Sequence, residues 1–185
     1  QLLDVTGPLQ VFASANDLSR AQGLPLPYTP VVVAAQPRLV TSSGLVLEAQ
    51  TLSFATEPLD TLVIAGGWGV YDACDDTSLT DWITARAAIA RRTASVCSGA
   101  FLLASTGLLD GRRAVTHWWR CKEFAARFPR VRLDPDPIFI QDGQFWTSAG
   151  VTAGIDLALA LVEADLGRDL ALAVARQLVV FLKRP

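Results

Sequence analysis

The sequence predicts an α/β fold: a mostly parallel sheet with helices on both faces. Three observations predict it. Short apolar, partly β-branched runs alternate with longer segments of helical spacing. Runs such as VVVAA (31–35) and TASV (93–96) are short and partly β-branched, as suits strands in a sheet interior. The stretch TASVCSGAFLLASTGLL, Thr93 to Leu109, reads as a buried strand, a sharp turn at Cys97 and a buried helix. That order is the strand–turn–helix of a nucleophile elbow.

Taken in order, Leu2 and Leu3 read as the end of a strand, with Asp4 just beyond it. Gly7-Pro8 opens a helix to about Arg20, because proline is tolerated in a first turn. Leu9, Phe12 and Ala13 share one face of it. Tyr28–Ala35 is a strand, and Arg38–Leu47 a hairpin-like excursion around Ser43-Gly44. Asp60–Ala65 is a central strand ending in Gly66-Gly67. Asp81–Arg92 is helical, with Ile83, Ala87 and Ala90 inward and Arg86, Arg91 and Arg92 in water. The elbow strand and its helix follow, and Gly107 stops the helix. Arg113–Thr116 is a strand ending at His117, and Trp118–Phe128 a helix. Strands at Ile138–Gln141 and Gln144–Thr147 flank the turn Asp142-Gly143. Val151–Leu166 and Asp169–Leu182 are helices. There is no internal repeat and no low-complexity tract.

Composition narrows the function. With 185 residues, half of them hydrophobic, the chain is one domain with ample core. A net charge of −2 provides no basic surface for nucleic acid. No unbroken apolar run is long enough for a membrane span. Three widely spaced cysteines, Cys74, Cys97 and Cys121, match neither a zinc site nor a disulfide framework. A reducing cytoplasm is the expected compartment, and neither metal nor cofactor is expected.

Ligands of open α/β sheets bind at the carboxyl ends of strands. Asp4, Gly66-Gly67, Cys97 and His117 all fall at such ends. At a helix N-terminus, free N–H groups and the helix dipole favour thiolate, so Cys97 is the candidate nucleophile or reactive thiol. A buried cysteine is equally often plain core. Asp4 reads locally as an N-cap. Gly66, Gly67 and Gly69 offer bare backbone, or an ordinary turn. His117, the single histidine, is the one available partner for a Cys–His pair, or a packed ring beside two tryptophans. Trp68, Trp118 and Trp146 wall a pocket or fill core.

Four motifs in this order carry a resemblance: LLDVTGPLQVF, IAGGWG, SVCSGAFLLASTGLLDGRRAVTHWW and TSAGVTAGIDLALAL. Together they resemble the PfpI/ThiJ branch of the class I glutamine amidotransferase-like superfamily, and within it the sensor domains of AraC-type transcription regulators. Isonitrile hydratases are similar. The resemblance implies a flavodoxin-like three-layer sandwich with its nucleophile elbow at Cys97. It implies that Asp4 contacts that cysteine as a protonated carboxyl, since adjacent anions repel. It implies an anion pocket built from the Gly66-Gly67 backbone and the N–H of Ser98, and a histidine near the cysteine at His117. Peptidase-like members carry histidine directly after the cysteine; Ser98 stands there instead, so that dyad is missing.

The implied function is effector sensing, with Cys97, Asp4 and His117 a catalytic-like set retained for binding, and Gly66, Gly67, Ser98 and Trp68 as ligand contacts. The effector is a small, often nitrogenous metabolite. A homodimer is implied, with DNA contacted only through a helix-turn-helix domain expected beyond residue 185. A strand is likewise expected ahead of LLDVTGP. The alternatives are a cysteine-dependent isonitrile hydratase or small amide hydrolase, and a redox sensor at Cys97.

Overall fold

A computed structural model describes residues 1–53 and 59–180. The elements, in order, are α1 (Leu2–Ala21), β1 (Val33–Ala34), β2 (Arg38–Val40), β3 (Val46–Glu48), β4 (Gln50–Thr51) and β5 (Thr61–Ile64). Then come α2 (Val70–Asp75), α3 (Thr77–Ile89), β6 (Arg92–Val96), α4 (Gly99–Ser105) and β7 (Arg113–Ala114). A 3-10 turn (Trp118–Arg120), α5 (Cys121–Arg127), β8 (Arg132–Leu133), β9 (Phe139–Asp142), β10 (Phe145–Ser148), α6 (Ala153–Leu166) and α7 (Arg168–Gln177) complete it.

The main sheet has the order β5-β6-β10-β9. β6 runs parallel to both β5 and β10, and β9 returns antiparallel along the edge. Three two-stranded pieces surround it: parallel β1-β4, antiparallel β2-β3 and parallel β7-β8. Apolar residues of α1, α6 and α7 pack into one cluster with Ala94 and Val96 of β6. Residues of α2 to α5 pack into a second with Leu62 and Ile64 of β5. Two cores divided by one sheet make the three-layer, flavodoxin-like α/β sandwich.

Several elements differ from the sequence-based expectation. The chain is helical from Leu2, not from Gly7, and Pro8 lies inside the helix. A Pro inside a helix forfeits one hydrogen bond. Packing offsets the loss: a side chain at Gly7 would press on Ile155 of α6, so glycine lets the two helices close. Asp4 is therefore a first-turn residue and not the N-cap, which is Gln1. The expected strand at Tyr28–Ala35 shrinks to Val33–Ala34. Pro27 and Pro30 lack N–H groups, and among the described residues β1 pairs only with β4. The six-residue helix α2 was not anticipated. α3 begins four residues early because Asp76 caps it, accepting from the Leu79 N–H at 3.2 Å. The segment after His117 splits into a 3-10 turn and α5. The last helix ends at Gln177, and residues 181–185 lie outside the described set.

Arg92 is the largest correction to the expected faces. It opens β6 and is 3% exposed, not in water. Its guanidinium grips the Asp165 carboxylate of α6, with a second bond from Nε to Thr61 Oγ1 at 2.8 Å. The Tyr28 hydroxyl donates to the same carboxylate at 2.9 Å. Burial of Arg is tolerated where it is paired in this way.

Candidate functional site

Cys97 sits between β6 and α4 with φ +58°, in the left-handed region. Non-glycine residues hold that conformation only where their surroundings enforce it. Here the Cys97 N–H donates to Ser148 O at 3.1 Å, and Thr116 Oγ1 donates to Cys97 O at 3.0 Å. β10 and the loop after β7 thus pin both sides of the elbow. Two glycines make room for it. A side chain on Gly99 would strike the Ile64 carbonyl, and one on Gly66 would lie 2.7 Å from Ser98 N.

Asp4 and Cys97 come together. The carboxyl is 1% exposed and the cysteine 9%. Asp4 Oδ1 accepts the Val151 N–H at 3.2 Å, while Oδ2 is buried without a partner of hydrogen-bonding geometry. The Gly66 N–H and the Cys97 thiol lie near enough to act on the carboxyl electrostatically. Burial raises the Asp4 carboxyl above its ordinary range, against those donors and the nearby N-terminal ammonium. Burial pushes the Cys97 thiol up to about 11, helped by the Asp4 charge and opposed by the Ser98 N–H. The expectation that the helix start makes this cysteine acidic is therefore reversed. A seven-residue helix end gives less than desolvation and a neighbouring carboxyl take away. Burial disfavours the charged form of each group.

The glycine pocket differs in detail from the expected one. The Gly67 N–H donates to Ser98 Oγ at 2.9 Å, and that hydroxyl lies 3.3 Å from Gly67 O. Ser98 thus occupies the Gly67 donor and couples the β5 loop to the elbow. His117 is half-buried, and its Nδ1 accepts the Trp119 N–H at 3.3 Å. It is linked to the elbow through the backbone, by way of its neighbour Thr116. Trp68 and Trp118 are not core: they are 73% and 72% exposed, whereas Trp146 is buried. Arg120 sits over the Trp68 and Tyr71 rings at 5.3 and 4.8 Å, joining the two strand-end loops that carry Gly67 and His117.

Gly150 and Val151 were not anticipated. A side chain on Gly150 would overlap Cys97, lying 2.7 Å from Sγ. Val151 has φ +52°, an outlier for a β-branched residue. Their one sequence signal is a glycine just past a strand, the feature that drew attention to Gly66. Among the described residues no cluster of His, Cys, Asp and Glu has the makings of a metal site. Among the described residues no helix is long and apolar enough to cross a membrane.

The fold and this elbow define a class, an α/β domain built around a cysteine–carboxyl pair at a strand end. The DJ-1/PfpI family profile matches residues 1–164, and the chain belongs to that family. Isonitrile hydratase from Pseudomonas putida is 36% identical over 180 residues, covering 96% of this chain and 73% of that protein. The HTH-type transcriptional regulator CdhR of Pseudomonas aeruginosa is 34% identical over 154 residues, 80% of this chain and 45% of the regulator. A ThiJ/PfpI family protein from Pseudomonas syringae superposes with TM-score 0.85 at 26% identity, covering 100% of this chain and 72% of the other. The domain thus resembles both isonitrile hydratase and HTH-type transcriptional regulators.

Proposed function

We propose that this chain is the effector-binding and dimerising domain of an AraC-type transcriptional regulator, with the Cys97–Asp4 pair at its ligand site. The observation supporting this is the resting state of the pair. A thiol held near 11, with the sole histidine turned to Trp119, is a weak nucleophile at neutral pH. The Asp4 carboxyl and the Cys97 thiol stand together at the elbow, where burial disfavours charge on either, and offer hydrogen-bonding groups to a ligand. Gly66, Gly67, Ser98 and Trp68 supply the neighbouring contacts, and His117 shapes the rim. The effector is a small, polar, nitrogenous molecule. DNA is contacted through a separate C-terminal helix-turn-helix domain, which places the protein in the cytoplasm.

A second reading is a cysteine-dependent isonitrile hydratase-like enzyme or small amide hydrolase. It is favoured by 36% identity to isonitrile hydratase and by the same Asp4–Cys97 adjacency. In it Asp4 acts as general acid and Cys97 as nucleophile. One experiment separates them. The chain is titrated calorimetrically against small amines, amidines and amino acids, and assayed with isonitriles and amides beside Cys97→Ala. Binding without turnover is the expected result. Turnover lost in Cys97→Ala overturns the sensor reading in favour of the enzyme.

A further inference from the structure

Arg120 joins the two loops at the rim of the elbow but is only partly satisfied there. Its guanidinium lies over the Trp68 and Tyr71 rings, and its side chain is 25% exposed. Among the described residues its one polar side-chain partner is Glu123, with Nη1 at 3.3 Å from Oε2. That oxygen is shared, because the Tyr71 hydroxyl donates to it at 3.1 Å. A guanidinium is a fork of five N–H donors that matches both oxygens of a carboxylate side by side. Here one donor meets one shared oxygen, and the rest of the fork is uncommitted. The two rings hold the fork by its flat face, a mode of packing that suits arginine.

The surroundings of this fork point to a ligand. The turn that carries it follows Thr116, whose hydroxyl holds the Cys97 carbonyl. Trp68 follows Gly67, whose N–H is held by Ser98. Both loops that meet at Arg120 are therefore anchored to the elbow close by. Donors gather between them, with the Gly66 N–H acting on Asp4 and the Ser98 N–H on Cys97. Trp119, like Trp68 and Trp118, is mostly exposed, and the Trp118 and Trp119 rings stack at 6.2 Å and 18°. Large rings left open together mark a binding surface, whereas single ones need no explanation. Backbone donors, an uncommitted guanidinium and flat apolar walls suit a planar group with one negative charge. A phosphate, tetrahedral and more highly charged, matches a flat niche with one guanidinium less well.

We infer, on the reading of the Cys97 opening as a ligand site, that Arg120 is the anion receptor of that site. It takes the carboxylate of a small ligand whose other end reaches toward the Asp4–Cys97 pair. The ligand's class is thereby narrowed to small carboxylates, whether the site only binds its ligand or also turns it over. Glu123 holds the guanidinium in place until the ligand arrives. Exchanging one shared oxygen for the ligand's two replaces a single contact with a bidentate pair, and that difference favours the bound arrangement. Trp68 and Tyr71 keep the guanidinium plane fixed through the exchange.

The test uses paired maleimides on alkyl tethers of graded length, one of each pair ending in a carboxylate and the other in the neutral primary amide. With either, the Cys97 sulfur bonds one alkene carbon of the ring and a proton from solvent goes to the other. Rates at Cys97 are read by mass spectrometry. Each carboxylate-to-amide ratio is divided by that of 2-mercaptoethanol, which cancels the thiolate fraction. At the best tether length the carboxylate should be favoured about fivefold, as one charge-assisted pair at a part-exposed site allows. The preference should vanish in Arg120→Gln. It should rise in Glu123→Gln, where the competing carboxylate is gone, and a gain of this kind is not mimicked by loss of fold. It should vanish again when both substitutions are combined. A preference that survives Arg120→Gln overturns the assignment, because backbone N–H groups alone then draw the carboxylate. So does a rise with Glu123→Gln that persists in the double variant, or no preference at any tether length. A closed opening gives a different result: Cys97 of the folded chain is then unreactive to every maleimide, and the ligand-site reading falls together with the assignment.

Discussion

The Asp4 carboxyl holds the Val151 N–H at 3.2 Å, joining residues 147 positions apart in the sequence. The bond fixes the first turn of α1 against the loop that opens α6, and it holds Val151 in the left-handed region. Asp4→Ala leaves a half-buried N–H unpaired and should cost about 1–3 kcal/mol in urea unfolding. Asp4→Asn keeps an acceptor and should cost less. The sign with pH follows from burial. The folded pKa of Asp4 is raised, so its contribution is fully present below the unfolded value of 3.8 and is lost as pH rises through the folded one. The gap between wild type and Asp4→Asn should therefore narrow, or reverse, from pH 4 to pH 8.

What the sequence made legible follows from what is local. The elbow was readable because strand, turn and helix lie within one stretch, and the small residues at 98–100 are the ones a tight turn needs. The β2–β3 and β9–β10 hairpins were readable from Ser43-Gly44 and Asp142-Gly143. Read from its neighbours alone Asp4 is a cap, because its partner Val151 N–H carries no sequence signal; its place beside Cys97 is what the resemblance implies. Arg92 was misread because helical spacing continues past Ile89, while the strand that buries it is set by Asp165 and Thr61, remote in sequence. The thiol's raised pKa was out of reach because it depends on burial, which no local pattern reports.

Reactivity should follow the Cys97–Asp4 pair. With its thiol up at about 11, Cys97 should alkylate slowly at pH 7, and its rate should climb through the alkaline range without an earlier plateau. Asp4→Asn removes the charge that is the second cause of the shift while leaving burial, the first, in place. The alkylation profile of Asp4→Asn should move to lower pH, each unit being about a tenfold gain in thiolate at fixed pH. Iodoacetamide kinetics with mass-spectrometric assignment to Cys97 measure this. An unmoved profile means that the carboxyl does not sense the sulfur.

Gly150 should tolerate no side chain. Its φ is +101°, and a methyl there overlaps Cys97. Gly150→Ala should cost about 1–3 kcal/mol from overpacking, with backbone strain added. It should also suppress alkylation of Cys97 while leaving Cys121, which is only partly buried, unaffected. Thermal unfolding and site-resolved alkylation separate the two effects. Gly111, also at positive φ (+72°) but with nothing near its missing side chain, is the control for strain without overlap.

The opposite end of the sheet is held by charge. Arg92 is buried against Asp165, which also receives Arg91 at 2.7 Å and the Tyr28 hydroxyl. Removing one partner of a buried pair strands the other, at about 3–5 kcal/mol. Asp165→Asn should therefore destabilise strongly, whereas Asp17→Asn, whose partner Arg20 is well exposed, should change stability by less than about 1 kcal/mol. Denaturant midpoints of the two variants test the contrast. A comparable effect would mean that Arg92 finds water or another acceptor once Asp165 is gone.

Alkaline stability closes the link between the elbow and the fold. In the unfolded chain Cys97 ionises near its ordinary value of 9.0; in the folded one near 11. Between those values the unfolded state binds fewer protons, so stability falls as pH rises. A two-unit gap corresponds to roughly 3 kcal/mol at most, lost across that window. Tyr28, buried and bonded to Asp165, is also raised and adds a loss of the same sign above pH 10. Cys97→Ala removes only the first contribution. The variant should lose less stability than wild type between pH 9 and 10, before Tyr28 enters. Parallel melting curves across that interval would show a thiol that ionises as freely in the folded chain as in the unfolded one, and the burial penalty on charge at the site would go with it.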